Sequence, residues 1–145
     1  MRSYSIYLIK EEFAQYYYGR ERMFFNLFHQ YAHVSGSLKN VLSRQIHYIT
    51  KPIPLLSVHH VLQPLFSDTS NMTKTGACQL LSKKEGQVLE VTIEERMLQL
   101  NVYGSYDTET AVFEILRNFK GDLLAIDYDH KRYGWIKPVK ERKFV

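Results

Sequence analysis

The sequence has little that would place the protein outside the cell or in a membrane. It contains a single cysteine, Cys78, which excludes an internal disulfide, so no oxidising compartment is required. It has no apolar run approaching the roughly 20 residues needed to cross a bilayer. The N-terminus opens directly on an alternating pattern, without the apolar stretch of a secretory signal. We therefore expect a cytoplasmic protein with no membrane partner.

The sequence also lacks the short motifs that mark common enzyme sites. It contains no phosphate loop, no dinucleotide fingerprint, no serine nucleophile elbow and no HExxH zinc motif. Cys78 has no activating partner nearby in the sequence, which favours an inert, buried thiol. We therefore predict that the protein is not an enzyme and uses no cofactor, no metal and no small-molecule substrate.

Two weaker patterns could still carry chemistry. His29 and His33 are four residues apart on a predicted helix, a spacing that can chelate a metal, but no third ligand accompanies them. Asp127, Asp129 and His130 follow a buried-looking strand, a place where catalytic groups often lie. The same residues also suit a polar turn between two strands. We favour the structural interpretation of both patterns and keep the second as the enzyme alternative.

The length of 145 residues and the periodicity predict a single domain, residues 1–145, of the α/β class, with α+β as the alternative. We expect about five strands in a mixed or antiparallel sheet packed with helices. Helices dominate the predicted N-terminal half and strands the C-terminal half. The predicted strands are one around Tyr4–Leu8 and then 77–82, 88–93, 97–103 and 123–126. The predicted helices are a short one ending at Gly19 and then 20–34, 38–50, 55–65 and 107–119, and 67–76 is predicted to be a mobile loop.

Two of these helices have a stripe of mainly apolar residues along one side. The stripe of the second helix comprises Met23, Phe24, Leu27, Phe28 and Tyr31. The stripe of the third comprises Leu38, Val41, Leu42, Gln45 and Ile49.

Charge is unevenly distributed along the chain. Residues 1–66 hold seven Lys and Arg against three Asp and Glu, whereas residues 67–145 hold twelve of each. A mildly basic N-terminal half suits an acidic partner surface. Basic residues also crowd the C-terminus near Tyr133 and Trp135, which leaves binding of nucleic acid through stacking and phosphate contacts as an alternative function. The basic residues concerned are Lys137, Lys140, Arg142 and Lys143.

The most informative segment is aromatic. Phe13 is followed by three consecutive tyrosines, Tyr16, Tyr17 and Tyr18, and then by Gly19. If the segment is helical, each side chain is rotated by about 100° from the last, so the three tyrosines span roughly 200° of the circumference. At least one ring must then point away from the core, and exposed rings with a polar tip often anchor protein contacts. The alternative is that Phe13 and two tyrosines belong to the core.

A second element could extend this patch. Gln45 and Tyr48 are three apart on the third predicted helix and so present together, with Ile46 and Ile49 facing inward beneath them.

The same segments resemble a known family, the SirA sporulation inhibitors of replication of endospore-forming bacteria. The similarity extends from the first strand to the last residue, and it is poor only over about residues 63–87. It is carried by YLIKEEFA (7–14), YYGRE (17–21), QIHYITKPIP (45–54) and RYGWIKPVKERKFV (132–145).

The resemblance implies a non-enzymatic inhibitor that binds the N-terminal domain of the replication initiator DnaA and blocks initiation during sporulation. It further implies a contact surface made by a Phe and a Tyr four apart on the first helix and by a Gln and a Tyr three apart on a later one. In this sequence the matching positions are Phe13, Tyr17, Gln45 and Tyr48. No direct contact with nucleic acid is expected, and the alternative function is binding of origin DNA by the basic C-terminus.

Overall fold

The computed structural model describes residues 1–66, 70–72, 78–84 and 86–137. Within them, seven strands form one sheet in the order β2-β3-β4-β5-β1-β6-β7, and every neighbouring pair is antiparallel. The strands are β1 Arg2–Ile9, β2 Ser70–Met72, β3 Cys78–Lys84, β4 Gln87–Ile93, β5 Leu98–Tyr103, β6 Asp122–Asp127 and β7 Arg132–Trp135. The helices are α1 Glu11–Tyr16, α2 Arg22–His33, α3 Ser37–Ile49, α4 Leu55–Leu62 and α5 Tyr106–Leu116, and a 3₁₀ turn, Gln63–Leu65, extends α4.

Strand β1 lies between β5 and β6 and is covered on both faces. Tyr4, Ile6 and Leu8 belong to one core cluster, while Ile9 and Tyr7 pack with another. A strand in this position needs apolar side chains on alternate faces. The alternation of Tyr4, Ile6 and Leu8 therefore predicted the strand correctly but showed only one of its two buried faces.

Helices pack against both faces of the sheet. On one face, α4 and α5 bury Val58, Leu62, Val112 and Leu116 against strands β1 and β3–β6. On the other, α1 and α2 cover β1 and β6 through Ala14 and three phenylalanines of α2. Those phenylalanines are Phe24, Phe25 and Phe28.

The part of this second face made by β1 and β5 is polar. Ser3 donates a hydrogen bond of 2.8 Å to Asn101, and Ser5 donates one of 3.0 Å to Gln99. Gln99 and Asn101 are only partly buried. These hydrogen bonds join β1 to β5 across the polar part of this face.

Helix α5 is attached to β1 by a buried charge. Glu109 accepts hydrogen bonds from the Arg2 guanidinium at 2.7 and 2.9 Å and from the Tyr4 hydroxyl. Burial and the bond to Glu109 raise the pKa of Tyr4 to about 12. A buried carboxylate is tolerated here because both of its oxygens have partners.

The class prediction of helices and strands around one sheet is confirmed, but two details are wrong. Of the two predicted sheet types, mixed and antiparallel, the described strands form the antiparallel one. The N-terminal half is not wholly helical, since it supplies β1, the strand on which the sheet is built. The sheet also has more strands than five, because β2 falls inside the predicted 67–76 loop and β7 closes the far edge. The remainder of that loop lies outside the described residues.

The predicted helix faces are also partly wrong. Met23 is 52% exposed, and Phe25 takes its place in the core. In α3 only Leu42 is buried among the five residues that were predicted to share one side of the helix. Helix α5 extends from Tyr106 to Leu116, whereas the predicted range was 107–119. Within the described ranges, no helix combines the length and the apolar character needed to cross a bilayer.

Candidate partner-binding surface

Helix α1 is short, and its ends follow from its sequence. Lys10 precedes it in an extended conformation, and Glu11 and Glu12 lie in its first turn, where carboxylates favour the positive end of the helix dipole. At the other end Tyr17 is the C-cap, and Gly19 adopts a positive φ of 79°, which glycine accepts without strain.

The tyrosines therefore do not form one continuous helical row. Of the three, only Tyr16 is helical, and it is also the most exposed, at 67%. Tyr17 is half-buried and packs edge-on against Phe24, with ring centroids 5.3 Å apart. The backbone N–H of Tyr17 still donates to the carbonyl of Phe13 at 3.1 Å, so these two residues stay one helical turn apart.

The structure brings α1 and α3 together through an aromatic pair. The rings of Phe13 and Tyr48 meet edge to face, with centroids 5.3 Å apart and an interplanar angle of 64°. Tyr48 is nevertheless 65% exposed, and Phe13 is half-buried. The ammonium group of Lys10 lies 4.9 Å from the Tyr48 ring centroid, a cation–π contact that helps to orient the ring.

Backbone hydrogen bonds fix the relative position of the two helices. The N–H of Lys10 donates to the carbonyl of Ile49 at 2.9 Å, and the N–H of Lys51 donates to the carbonyl of Leu8 at 2.8 Å. These bonds tie the start of α1 and the end of α3 to the same end of β1. The Phe13–Tyr48 pair is therefore held by the sheet and does not depend on loop conformation.

Gln45 is exposed one turn before Tyr48 on α3, as the three-residue spacing predicted. Beneath them, Ile46 and Ile49 are half-buried against the second core cluster. Of the four residues that the sequence singled out, Phe13 and Tyr48 are in contact. Tyr17 lies one helical turn beyond Phe13, and Gln45 lies one turn before Tyr48.

Sequence reasoning missed one residue that supports this surface. Arg96, in the β4–β5 connection, donates through its guanidinium to the carbonyls of Thr50 at 3.2 Å and His47 at 3.4 Å. Its second nitrogen lies 3.0 Å from Nε2 of His47. The last carbonyls of a helix have no partner within it, so Arg96 satisfies the C-terminal turn that carries Tyr48. No sequence signal links residues so far apart.

Positive charge predominates in the segment of the chain that contains α2, α3 and α4. Residues 22–66 contain no Asp or Glu, and their four Lys and Arg residues are Arg22, Lys39, Arg44 and Lys51. The Arg20 guanidinium lies 5.6 and 5.7 Å from the ring centroids of Tyr16 and Tyr17. The nearest carboxylates in sequence are Glu11 and Glu12, in the first turn of α1, and Glu21.

Glu21 is occupied by internal hydrogen bonds. It accepts from the indole N–H of Trp135 at 3.2 Å and from the backbone N–H of Gly19 at 3.1 Å. Burial raises the pKa of this carboxyl, but hydrogen bonds from the backbone N–H groups of Glu21 and Gly19 and from Trp135 outweigh it and lower the pKa. Glu21 thus joins the end of α1 to β7.

The alternative catalytic cluster forms a closed turn. Asp127 is buried, and its carboxylate accepts hydrogen bonds from Arg132 at 2.8 Å and from the backbone N–H of His130 at 3.3 Å, with the His130 ring nitrogen 2.9 Å away. Asp129 is exposed. Burial raises the pKa of Asp127, but the hydrogen bonds from Arg132 and His130 outweigh it and hold the pKa below its usual value. This arrangement closes the β6–β7 turn, in which Lys131 has a positive φ of 53°.

We expect Asp127→Asn to destabilise the fold at neutral pH and to flatten its acid dependence. A lowered folded-state pKa stabilises the fold above the unfolded pKa of about 4, and this stabilisation is lost as pH falls through the folded-state value. Weakening the charged hydrogen bonds should cost about 1.5–3 kcal/mol. Urea unfolding from pH 7 to pH 2 measures both effects. Asp129→Asn, in the same turn but exposed, is the matched control, and equal behaviour of the two variants would contradict the assignment.

The two histidines of the candidate metal site contact each other. The rings of His29 and His33 stack with centroids 4.3 Å apart, and Nδ1 of His33 lies 2.8 Å from the carbonyl oxygen of His29. In the described part of the chain, no three His, Cys, Asp or Glu side chains gather as potential metal ligands.

A cavity of about 300 Å³ lies beside β7. It is lined by Tyr4, Phe113, Ala125, Asp127, Arg132, Tyr133, Gly134, Trp135 and Ile136.

The aromatic residues of the DNA-binding alternative pack against α2. Tyr133 stacks on Phe25, with centroids 5.3 Å apart, and Trp135 meets Phe24 edge to face at 5.9 Å. Lys137 is exposed, while Lys140, Arg142 and Lys143 lie outside the described residues. DNA binding by the C-terminus stays an untested prediction.

Comparison with known proteins agrees with the resemblance seen in the sequence. The family model described as sporulation inhibitor of replication protein SirA matches residues 2–140, a range that includes the whole surface described above. A protein of Bacillus subtilis (strain 168), named sporulation inhibitor of replication protein SirA, is 41% identical over 153 residues, covering 99% of this chain and 99% of that protein. The chain therefore belongs to the SirA family of sporulation inhibitors of replication.

Proposed function

We propose that this protein inhibits replication initiation during sporulation by binding the N-terminal domain of the initiator DnaA, and that residues 1–145 act as a single domain. Family membership supports the inhibitory role. The choice of partner rests on the match of Phe13, Tyr17, Gln45 and Tyr48 to the contact residues that the family resemblance implies.

The observation that carries the proposal is the open aromatic pair of Phe13 and Tyr48, which joins α1 to α3 at the surface. Rings that are exposed yet held in one orientation lose little conformational entropy on binding, which favours affinity. In the proposed complex, both rings enter shallow apolar hollows of the initiator domain. Tyr17 widens the contact, and the exposed Gln45 amide provides a hydrogen bond that fixes the orientation.

In this proposal, inhibition results from the bound inhibitor occupying a face of the initiator domain. The inhibitor covers the face that the initiator domain needs for self-association or for its activators. No covalent change occurs, so the effect is stoichiometric and reversible. The hydrogen bonding of Asp127 supports a non-enzymatic mechanism, because a buried carboxylate held by the Arg132 guanidinium and the His130 backbone N–H is a structural element of the turn.

We expect Tyr17→Ala to weaken binding of the initiator's N-terminal domain at least tenfold in a calorimetric titration. The substitution removes one ring of the surface, and loss of the contact with Phe24 should also cost about 1 kcal/mol of folding stability. Circular dichroism at the titration temperature establishes that the variant is folded. Tyr103→Ala is the control, since this exposed tyrosine ends β5 beside Arg2, at the end of β1 remote from α1. Unchanged affinity of Tyr17→Ala would remove Tyr17 from the proposed interface, and no binding by the unmodified chain would refute the choice of partner.

A further inference from the structure

The exposed face of α3 carries a longer row of side chains than the two residues assigned so far. Leu38, Val41, Gln45 and Tyr48 follow one another at intervals of three, four and three residues, the spacing of one helical stripe. Leu38 and Val41 are 46% and 47% exposed. We call these four residues the α3 stripe.

The α3 stripe is bare because α3 packs through a different face. Leu42 is buried, and Ile46 and Ile49 rest against the second core cluster. These three residues are rotated by roughly 90° around the helix axis from the middle of the α3 stripe, given about 100° per residue. Three large apolar side chains, those of Leu38, Val41 and Tyr48, are consequently left at the surface in one line. Contiguous exposed apolar surface of this kind marks interaction sites.

The side chains around Phe13 and Tyr48 are too few to form a stable interface by themselves. A stable interface usually buries about 800 Å² on each partner and involves about 20–30 residues a side. Four side chains around Phe13 and Tyr48 do not provide this area. The α3 stripe is continuous with them, because Gln45 and Tyr48 belong to both. From Leu38 to Tyr48 the stripe is about 15 Å long, and the part from Leu38 to Gln45 extends the surface by about 10 Å along the helix.

The charges beside the α3 stripe define the chemistry of the occupant. Arg44 precedes Tyr48 by four residues and so borders the stripe on one side. Lys10 lies against the Tyr48 ring at 4.9 Å. Helix α3 has no carboxylate, and the exposed Glu11 and Glu12 belong to the first turn of α1. A partner with carboxylates around an apolar contact would find opposite charges here, whereas a basic partner would be repelled.

We propose that the interface continues along the whole α3 stripe to Val41 and Leu38. Its occupant is an apolar element of the initiator domain, about 15 Å long and bordered by carboxylates. This inference rests on the proposed function and adds two anchoring residues to it. Val41 and Leu38 extend the hydrophobic contact away from the aromatic pair, and Arg44 faces the acidic border.

The test is a calorimetric titration of the initiator's N-terminal domain into the full chain carrying Leu38→Ser and Val41→Ser together. We expect at least tenfold weaker binding with little change in thermal stability, since both side chains are half exposed. The matched control is Leu56→Ser. Leu56 is 84% exposed on α4, which packs on the opposite face of the sheet, and its replacement should leave affinity unchanged.

A charge variant tests the acidic border separately. Arg44→Glu should reduce the affinity by a larger factor at low salt than at high salt, because ions screen the attraction between exposed charges. Lys39→Glu is the control, since Lys39 lies on the other side of α3 with its ammonium group 5.0 Å from the Tyr31 ring centroid. Equal losses for the two variants would overturn the assignment of an acidic border to the α3 stripe.

The outcomes separate this inference from the proposed function. If Tyr48→Ala loses binding while the Leu38→Ser, Val41→Ser variant binds like the unmodified chain, the extension is overturned and the proposed function stands. If the unmodified chain does not bind at all, both are overturned. Analytical sedimentation of the free chain tests whether a second copy of this chain occupies the α3 stripe, since it detects a dimer. A dimer that the double variant abolishes without any change in affinity for the initiator domain would also overturn the extension.

Discussion

Tyr48→Ala is expected to weaken binding of the initiator's N-terminal domain about thirtyfold, or ~2 kcal/mol, while changing the free energy of unfolding by less than about 1 kcal/mol. The two effects separate because Tyr48 is 65% exposed and makes its main contacts at the surface, with Phe13 and Lys10. A ring that is left open in the free protein contributes little to folding and can contribute much when a partner covers it. Calorimetric titration gives the affinity, and urea unfolding gives the stability.

The chain offers a closely matched control for this substitution. Tyr106 is 64% exposed, and the Arg2 guanidinium lies 4.3 Å from its ring centroid, so its surroundings resemble those of Tyr48. Tyr106 begins α5, on the opposite face of the sheet from α3. We expect Tyr106→Ala to bind normally. Equal losses for the two variants would mean that removal of an exposed tyrosine weakens binding non-specifically, and the anchor role of Tyr48 would be abandoned.

Phe28→Ala is expected to reduce the free energy of unfolding by about 3–5 kcal/mol, the largest effect on stability that we predict. Phe28 is fully buried in the cluster between α2 and the sheet and stacks on Tyr7, with ring centroids 4.0 Å apart. Truncation leaves a cavity that the close packing around β1 cannot readily fill. The melting temperature should fall on the order of 10 °C for a chain of this size.

Met23→Ala separates this effect from a general weakening of α2. Met23 lies on the same helix but is exposed, and its replacement should change stability by less than about 0.5 kcal/mol. Comparable losses for both variants would contradict the assignment of the core face of α2. Binding of the initiator domain by Phe28→Ala, measured well below its melting temperature, should be close to normal, because Phe28 acts through folding and not through contact.

The sequence predicted most strands and helices because their apolar residues recur with periods of two and about 3.6. Its errors came where a helix is apolar on more than one side. In α2, Met23, Phe24 and Phe25 are consecutive, so periodicity allows two alternative faces, and the sheet selects Phe24 and Phe25. In α3 the same ambiguity concealed the exposed row that begins at Leu38.

The candidate site was predictable to a similar degree. Aromatic crowding and the family resemblance led to Phe13, Tyr17, Gln45 and Tyr48, since those features are local in the sequence. The contact between Phe13 and Tyr48 was not predictable, because it depends on both helices being attached to one end of β1. The role of Arg96 was equally hidden, because it is a long-range contact between a loop and the end of a helix.

The sequence by itself determined the inventory: short elements of known type, no carboxylate from residue 22 to residue 66, and tyrosines too crowded to be buried together. Only the tertiary structure decided which apolar side chains are enclosed. A helix that is apolar on two sides can cover a sheet with only one of them. Because Leu42, Ile46 and Ile49 lie on the side of α3 that faces inward, Tyr48 and its neighbours along α3 are left at the surface.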